Sequence, residues 1–341
     1  MSQYVHLSNP DPEWAAVSAH IPIAKPIVSI EAYREEIMAA RARRKANTVP
    51  EQSATEGLKV IEKTIQVENG EIRVRAYIPD AQDHETDGFP LILWTFGGGE
   101  SISGFVLGSI DDEDVLLRNL SVNSRIVCAT GDYRKAPEHP FPAAVNDTCA
   151  TLKWALNNSS DFSINISKGF IVGGVSAGGN LAAVLAQRGL KDPDLKGKIT
   201  GQLLVMPTVV SPHAYPEKFK SELLSFDKDE NNKMLPKGHC EKFLEAYHGS
   251  NNAPNLEVSP LLAESFEGLP PAYIQVCGVD LLRDEAFLYE RLLREAGVST
   301  KLDVYPGLPH GFHIIFKDFK ATKKQREDFV KGLDWLLHRS D

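Results

Sequence analysis

A serine able to act as a nucleophile stands at position 176, in the run Gly173-Gly174-Val175-Ser176-Ala177-Gly178-Gly179-Asn180. The run contains G-x-S-x-G, follows an apolar stretch that reads as a strand and precedes one that reads as a helix. The motif alone also fits a plain glycine-rich turn. In strand–turn–helix context, however, it holds the serine in a strained elbow, where flanking glycines let strand and helix close around it. The N–H of Ala177, at the helix start, is then aimed at a developing oxyanion. A serine hydroxyl attacks only when a base removes its proton, so the pattern demands a histidine and a carboxylate further along the chain. Asp280 in Gly278-Val279-Asp280-Leu281-Leu282 and His310 in Leu308-Pro309-His310-Gly311-Phe312 answer that demand. Each follows a predicted strand, at the carboxyl ends where α/β sheets gather their sites, and the order serine, acid, histidine suits an elbow serine. Asp284 is the rival acid, at a position that reads as a helix N-cap. His139 and His313 are rival bases and read as surface or structural histidines.

A second glycine run, Phe96-Gly97-Gly98-Gly99-Glu100, ends the predicted strand Leu91 to Phe96. Glycines there let backbone N–H groups approach a substrate oxygen without side-chain obstruction. Read on its own the run is a flexible turn; read with Ser176 it is an oxyanion loop, each donor worth roughly 3 to 4 kcal/mol of barrier.

These residues need a scaffold of alternating strands and helices. The Asn69-Gly70 turn between the alternating stretches Ile61 to Val67 and Ile72 to Ile78 marks an antiparallel hairpin. Short apolar strands follow at Leu91 to Phe96, Arg125 to Thr130, Phe170 to Gly173, Ile199 to Met206, Ala272 to Cys277 and Lys301 to Tyr305. Helices fit between or after them at Ala143 to Leu156, Ala177 to Gln187, Asp284 to Glu295 and Thr322 to His338. That alternation builds a parallel sheet covered on both faces. Two regions stand outside it. Residues 1 to 57 are proline-rich and then helical from Ile30 to Ala46, and an insertion at about 208–258 carries a helix near His239 to Tyr247; together they form a candidate lid over a catalytic domain at 58–341. The basic residues near Arg41 to Lys45 read as a surface helix rather than a membrane-docking patch.

Composition narrows the partners. The chain has 341 residues, with 37 Lys and Arg against 46 Asp and Glu, a net charge of −9 that argues against a grip on nucleic acid. Cys128, Cys149, Cys240 and Cys277 are widely spaced and show no zinc-ligand pattern, so no metal or other cofactor is expected and the thiols read as reduced. Met1 to Trp14 lacks the basic and then apolar run of a signal peptide, so the cytoplasm is the expected location. No stretch approaches the ~18 to 20 apolar residues of a membrane helix.

The chain resembles the hormone-sensitive-lipase-like family of α/β-hydrolases, which also includes brefeldin A esterase. The matching motifs run in the family's order: Gly97 to Gly99, then Asp132-Tyr133-Arg134-Lys135-Ala136-Pro137-Glu138-His139, the elbow at Ser176, Ser259-Pro260-Leu261, and the Asp280 and His310 segments. The resemblance implies an α/β-hydrolase fold: a mostly parallel eight-stranded sheet flanked by helices, with a helical cap from the N-terminus and an insertion. It implies Ser176, Asp280 and His310 as nucleophile, acid and base, and the backbone of Gly98, Gly99 and Ala177 as oxyanion donors. Homodimers are common in the family. The Asp132 to Glu138 stretch has no catalytic logic of its own and reads as buried pairing that ties the core together.

Two departures stand out. The family's oxyanion loop begins with His where this chain has Phe96, which removes a side chain that helps hold the loop. Its elbow reads Gly-Asp-Ser, where this chain has Val175. Glu100 is also unusual after the glycines. At ~6 Å from an oxyanion, with an effective dielectric of ~20, its charge would oppose the reaction by roughly 3 kcal/mol, so Glu100 is expected to face solvent or pair with a base. Phe96, Glu100 and Val175 are candidate substrate-pocket residues. The expected activity is hydrolysis of small to medium carboxylic esters through an acyl-serine, with water as second substrate. Alternatives sharing the same constellation are a lactonase, an amidase, or a deacetylase or transacylase specialised for one metabolite. A non-catalytic small-molecule receptor is disfavoured by the presence of His310.

Overall fold

The computed structural model describes residues 3–47, 53–98, 104–228, 232–249 and 253–338. Its centre is an eight-stranded sheet: β1 (Leu58–Val67), β2 (Gly70–Pro79), β3 (Leu91–Thr95), β4 (Val127–Gly131), β5 (Phe170–Val175), β6 (Gly201–Val205), β7 (Ala272–Cys277) and β8 (Thr300–Tyr305). The spatial order is β1-β2-β4-β3-β5-β6-β7-β8. β1 and β2 pair antiparallel across the Asn69-Gly70 turn and β2 pairs antiparallel with β4, while every later pairing is parallel. Every residue of β3 to β7 is buried, as a parallel sheet covered on both faces requires.

The helices are α1 (Pro12–Ser18), α2 (Ile30–Asn47), α3 (Asp114–Ser124), α4 (Ala143–Asn157), α5 (Ala177–Gly189), α6 (Ser225–Lys228), α7 (Lys237–His248), α8 (Arg283–Glu295), α9 (Phe312–Ile315) and α10 (Lys320–Leu337). α4, α5 and α8 cover one face over Leu93, Val172, Leu204 and Ile274. α3 and α10 cover the other over Trp94, Val175, Val205 and Tyr273.

A third packed layer lies above the strands' carboxyl ends. There Ile27, Ile30 and Tyr33 from the N-terminal stretch join Phe226, Leu235 and Phe243 from the segment between β6 and β7, against Phe96, Tyr133, Ala177 and Leu281. Tyr33 packs on both His239 and Phe243 of α7, with ring centroids 5.5 and 5.6 Å apart.

The motif at Asp132 to Glu138 pairs as its residue types suggest, though not all of it in the interior. Arg134 grips the fully buried Asp147 at 2.8 Å and Asp132 meets Arg73 at 3.0 Å. Glu138, half exposed, reaches Arg34 of α2 at 2.6 Å. Its pair therefore ties the N-terminal helix to the surface of the sheet domain, not the core to itself.

Candidate active site

Ser176 sits between β5 and α5 with φ +57° and ψ −118°, a left-handed backbone that a non-glycine residue adopts only when its surroundings enforce it. The enforcement is visible. Its N–H donates to the Val205 carbonyl at 2.9 Å, and its own carbonyl accepts from the Asn180 N–H at 3.0 Å. Two glycines make room. A Cβ on Gly178 would lie 2.0 Å from the Thr95 carbonyl oxygen, and one on Gly97 would lie 2.6 Å from the Val175 carbonyl oxygen and 3.2 Å from the Ser176 Cβ. The spacing G-x-S-x-G is thus a packing requirement between the elbow and the end of β3.

His310 and Asp280 reach Ser176 on loops that are tied to each other. The Gly278 N–H donates to the Tyr305 carbonyl and the Val279 N–H to the Leu308 carbonyl, both at 2.9 Å. The N-terminal stretch braces the same pair of loops: the Gly307 N–H donates to Leu7 at 2.8 Å, the Asp11 N–H to Gly307 at 3.0 Å, and Arg283 joins the Gly278 carbonyl to the Ser8 hydroxyl. On this frame His310 Nε2 lies 3.0 Å from Ser176 Oγ, and His310 Nδ1 lies 2.6 Å from Asp280 Oδ2. The other Asp280 oxygen accepts from the Leu282 N–H at 2.9 Å. Ser176, Asp280 and His310 expose 8, 4 and 1% of their surface, so the hydrogen-bonded chain runs through a nearly dry site, where such bonds gain strength.

The rivals fall elsewhere. Asp284 is not the N-cap of α8, because that helix starts at Arg283 with Leu282 at its cap. Its carboxylate instead accepts from the Leu224 and Ser225 N–H groups at 3.0 and 2.8 Å and pairs with Arg283, joining α8 to the start of α6. His139 is exposed. His313 is enclosed, and burial, reinforced by the nearby His310 and Arg326, pushes its pKa down to about 3, leaving it neutral. Its ring makes no hydrogen bond to Ser176 among the described residues.

Of the expected oxyanion donors, Ala177 is buried as the first residue of α5, and Gly98 lies at the end of the described part of its loop. Gly99 and Glu100 lie outside the described residues. Phe96 is fully buried and stacks on Tyr133 with centroids 4.3 Å apart, while the Tyr133 hydroxyl donates to the Phe96 carbonyl at 3.1 Å. The structure therefore places it beneath the loop, as a support. Val175 lines a cavity of about 380 Å³ with Trp94, Val205, Glu113, His313 and Phe329. Within it, burial and the neighbouring Asp112 carboxylate push the Glu113 pKa up to about 7. Behind Asp280, burial pushes the Glu285 carboxyl up to about 8, and one of its oxygens accepts from the Val209 N–H at 2.7 Å.

Sequence reasoning missed two contributors. Met206, itself at φ +47°, accepts the Gly311 N–H on its sulfur at 3.3 Å, next to His310; nothing in its local sequence signals that role. Arg41, expected on a solvent-facing helix, is instead turned inward, its Nη2 donating to the Gly98 carbonyl at 2.7 Å.

With this geometry in place, comparison with known proteins is direct. The family described as alpha/beta hydrolase fold matches residues 97–314, from the first glycine of the oxyanion loop to just past His310. The chain is 34% identical to the carboxylic ester hydrolase LipN of Mycobacterium tuberculosis over 89% of this chain and 78% of that one. It is 31% identical to the versiconal hemiacetal acetate esterase of Dothistroma septosporum over 73 and 74% of the two chains. Among solved structures, vibralactone cyclase superposes with a TM-score of 0.86 at 33% identity, covering 97% of this chain and 96% of that one. The chain belongs to the α/β-hydrolase fold family, in its hormone-sensitive-lipase-like branch.

Proposed function

We propose that Ser176 is the nucleophile, His310 the general base and then acid, and Asp280 the orienting carboxylate of this carboxylic ester hydrolase. The observation that carries the assignment is the buried chain Asp280–His310–Ser176, with links of 2.6 and 3.0 Å, ending on a serine held at φ +57°. The Asp280 carboxylate accepts a hydrogen bond from Nδ1–H, which leaves the Nε2 lone pair facing the Ser176 hydroxyl. As Oγ attacks the ester carbonyl its proton passes to Nε2, and Asp280 stabilises the imidazolium that forms. Negative charge collects on the former carbonyl oxygen, where backbone donors from Gly98, Gly99 and Ala177 receive it. Collapse expels the alcohol with the proton from Nε2. Water, deprotonated by the same nitrogen, then releases the acid and frees Ser176.

The N-terminal stretch and the segment between β6 and β7 act as a cap over this site. The cavity beside Val175 is walled by α3, α9 and α10 and by none of Ser176, Asp280 and His310, so it is not read as the acyl site. One specific likeness favours a second reading. Vibralactone cyclase aligns over almost the whole chain, and an acyl-serine attacked by a hydroxyl of its own acyl group would release a lactone in place of an acid. All four cysteines are free, consistent with a reducing, cytoplasmic setting, and among the described residues no helix is long and apolar enough to cross a membrane. The homodimer implied by the family is open to a sedimentation measurement.

The deciding experiment measures hydrolysis of p-nitrophenyl esters of increasing acyl length by the wild type and Ser176→Ala. Serine-dependent turnover on short to medium chains is expected. If no chain length shows it, the ester-hydrolase assignment fails at Ser176; a lactone product from a hydroxy-ester identifies the cyclising variant of the chemistry.

A further inference from the structure

The oxyanion loop poses a mechanical problem. Glycines give it little intrinsic stiffness. Stacking on Tyr133 and the bond from its hydroxyl fix the loop at Phe96, yet the orientation of the peptides further on is what decides whether they present donors or acceptors to the substrate.

Helix α2 supplies a hold. Arg34 and Arg41 are seven residues apart, two helical turns, and therefore project from nearly the same face. Arg34 Nε donates to the Val106 carbonyl at 2.7 Å, and Arg41 Nη2 donates to the Gly98 carbonyl at the same distance. Both arginines are aimed by carboxylates: Arg34 by Glu138 at 2.6 and 2.9 Å, and Arg41 by Asp112, whose two oxygens lie 3.3 Å from Nη1. Each side chain is only 19% exposed. One helix thus grips the backbone on either side of the segment between Gly98 and Val106.

We propose that Arg41 is a positioning residue for the reaction: braced by Asp112, it holds the Gly98 carbonyl and thereby sets the plane of the oxyanion-loop peptide to which that carbonyl belongs. The peptide unit is planar and trans, so its carbonyl and its N–H point in opposite directions. A guanidinium that captures the carbonyl turns the donor edge of the same peptide away from itself. Without that hold the peptide is free to rotate its carbonyl into the site, replacing a donor by an acceptor where negative charge develops. Because α2 is seated through Tyr33 on His239 and Phe243 of α7, the reach of Arg41 also couples seating of the N-terminal helix to formation of the hole. The proposal rests on the assignment of the Gly98 loop as oxyanion donor to Ser176.

The test compares wild type, Arg41→Met, Arg41→Lys and Ser176→Ala on one p-nitrophenyl ester, alongside inhibition by a trifluoromethyl ketone, whose serine adduct places an oxyanion in the hole, and by an unreactive amide analogue that binds without one. Arg41→Met should lower kcat by about 10- to 100-fold, short of the ~10²–10³ for outright removal of a donor. KM and amide inhibition should stay within threefold (about 0.6 kcal/mol), and trifluoromethyl ketone affinity should fall in step with kcat. Arg41→Lys, which keeps a donor for the Gly98 carbonyl, should recover a substantial part of both, as should guanidinium added to Arg41→Met. A rise in KM with kcat unchanged, or no change in either, overturns the proposal, as does loss of ketone and amide affinity together. Should Arg41→Met fail to fold, a Lys variant that folds but shows kcat and ketone affinity no better than one-hundredth of wild type overturns it equally. Full activity in Ser176→Ala removes the underlying triad assignment and the proposal with it; an inactive Ser176→Ala beside an unaffected Arg41→Met removes the proposal alone.

Discussion

Replacing Asp280 by Asn keeps the shape of the acid and reverses one of its hydrogen-bonding edges. In the native site one carboxylate oxygen accepts from the Leu282 N–H at 2.9 Å and the other accepts from His310 Nδ1 at 2.6 Å. An asparagine can satisfy only the first of these with its oxygen. Turning its NH₂ toward Leu282 would set two donors against each other, so the amide presents NH₂ to His310. That partner holds the imidazole with its proton on Nε2, pointing at Ser176 Oγ from 3.0 Å, and a nitrogen that already carries a proton cannot accept another. Restoring the reactive tautomer opposes two buried N–H groups, at about 2 to 3 kcal/mol, and forfeits a charge-assisted bond to the imidazolium worth a further ~2 to 3 kcal/mol. With Asp280 and His310 only 4 and 1% exposed, water offers little relief. The sum corresponds to a loss of about 10³- to 10⁴-fold in kcat. The assay is steady-state hydrolysis of a p-nitrophenyl ester, normalised to folded protein by the melting transition, which should barely move. A loss of less than about 30-fold would mean that Asp280 does not set the tautomer, and the reasoning would be wrong.

Two further outcomes follow from the packing. Gly178→Ala places a methyl group 2.0 Å from the Thr95 carbonyl oxygen; it should destabilise the protein by about 2 to 3 kcal/mol in urea unfolding and depress activity by displacing the elbow, and an unchanged unfolding midpoint counts against the close-packing account of G-x-S-x-G. Glu285 is 1% exposed with its carboxyl raised from 4.5 to about 8. A raised carboxyl favours the protonated fold, so its contribution is intact below the unfolded value of 4.5 and is lost as pH climbs through about 8. Glu285→Gln, which keeps an acceptor for Val209, should therefore gain on wild type as pH rises, by on the order of 3 kcal/mol near neutrality; a difference that stays flat across that interval refutes the assignment.

Much of the site was legible because its chemistry is local. The elbow needs its glycines within two residues of Ser176, and Asp280 and His310 each occupy a loop directly after a strand, so residue type, strand pattern and chain order converge on the same three positions. The strands were equally readable, since a buried parallel strand is an unbroken apolar run. Helix α3 was not anticipated. Asn119, Ser121, Asn123 and Ser124 are weak helix formers whose side chains compete for backbone partners. In the structure Leu117 and Leu120 are buried against the sheet and the Ser121 hydroxyl bonds to the Tyr77 carbonyl at 3.2 Å, so packing overrides propensity.

Residue type and spacing alone pick out Ser176, Asp280 and His310, the proposed nucleophile, acid and base, and the α/β scaffold that carries them, because each is marked by neighbours along the chain. What the tertiary structure decided is how the rest of the molecule holds them. Arg41 lies 57 residues from the Gly98 carbonyl it grips, Leu7 is bonded to Gly307 and Ser8 to Arg283, and none of these pairings leaves a periodicity or spacing to read. Read along the chain, residues 1 to 57 stand outside the strand–helix alternation as part of a candidate lid. In the fold they brace the acid and histidine loops at one end and the oxyanion loop at the other, because long-range contacts form wherever the folded surfaces meet, and a linear pattern carries no record of which surfaces those are.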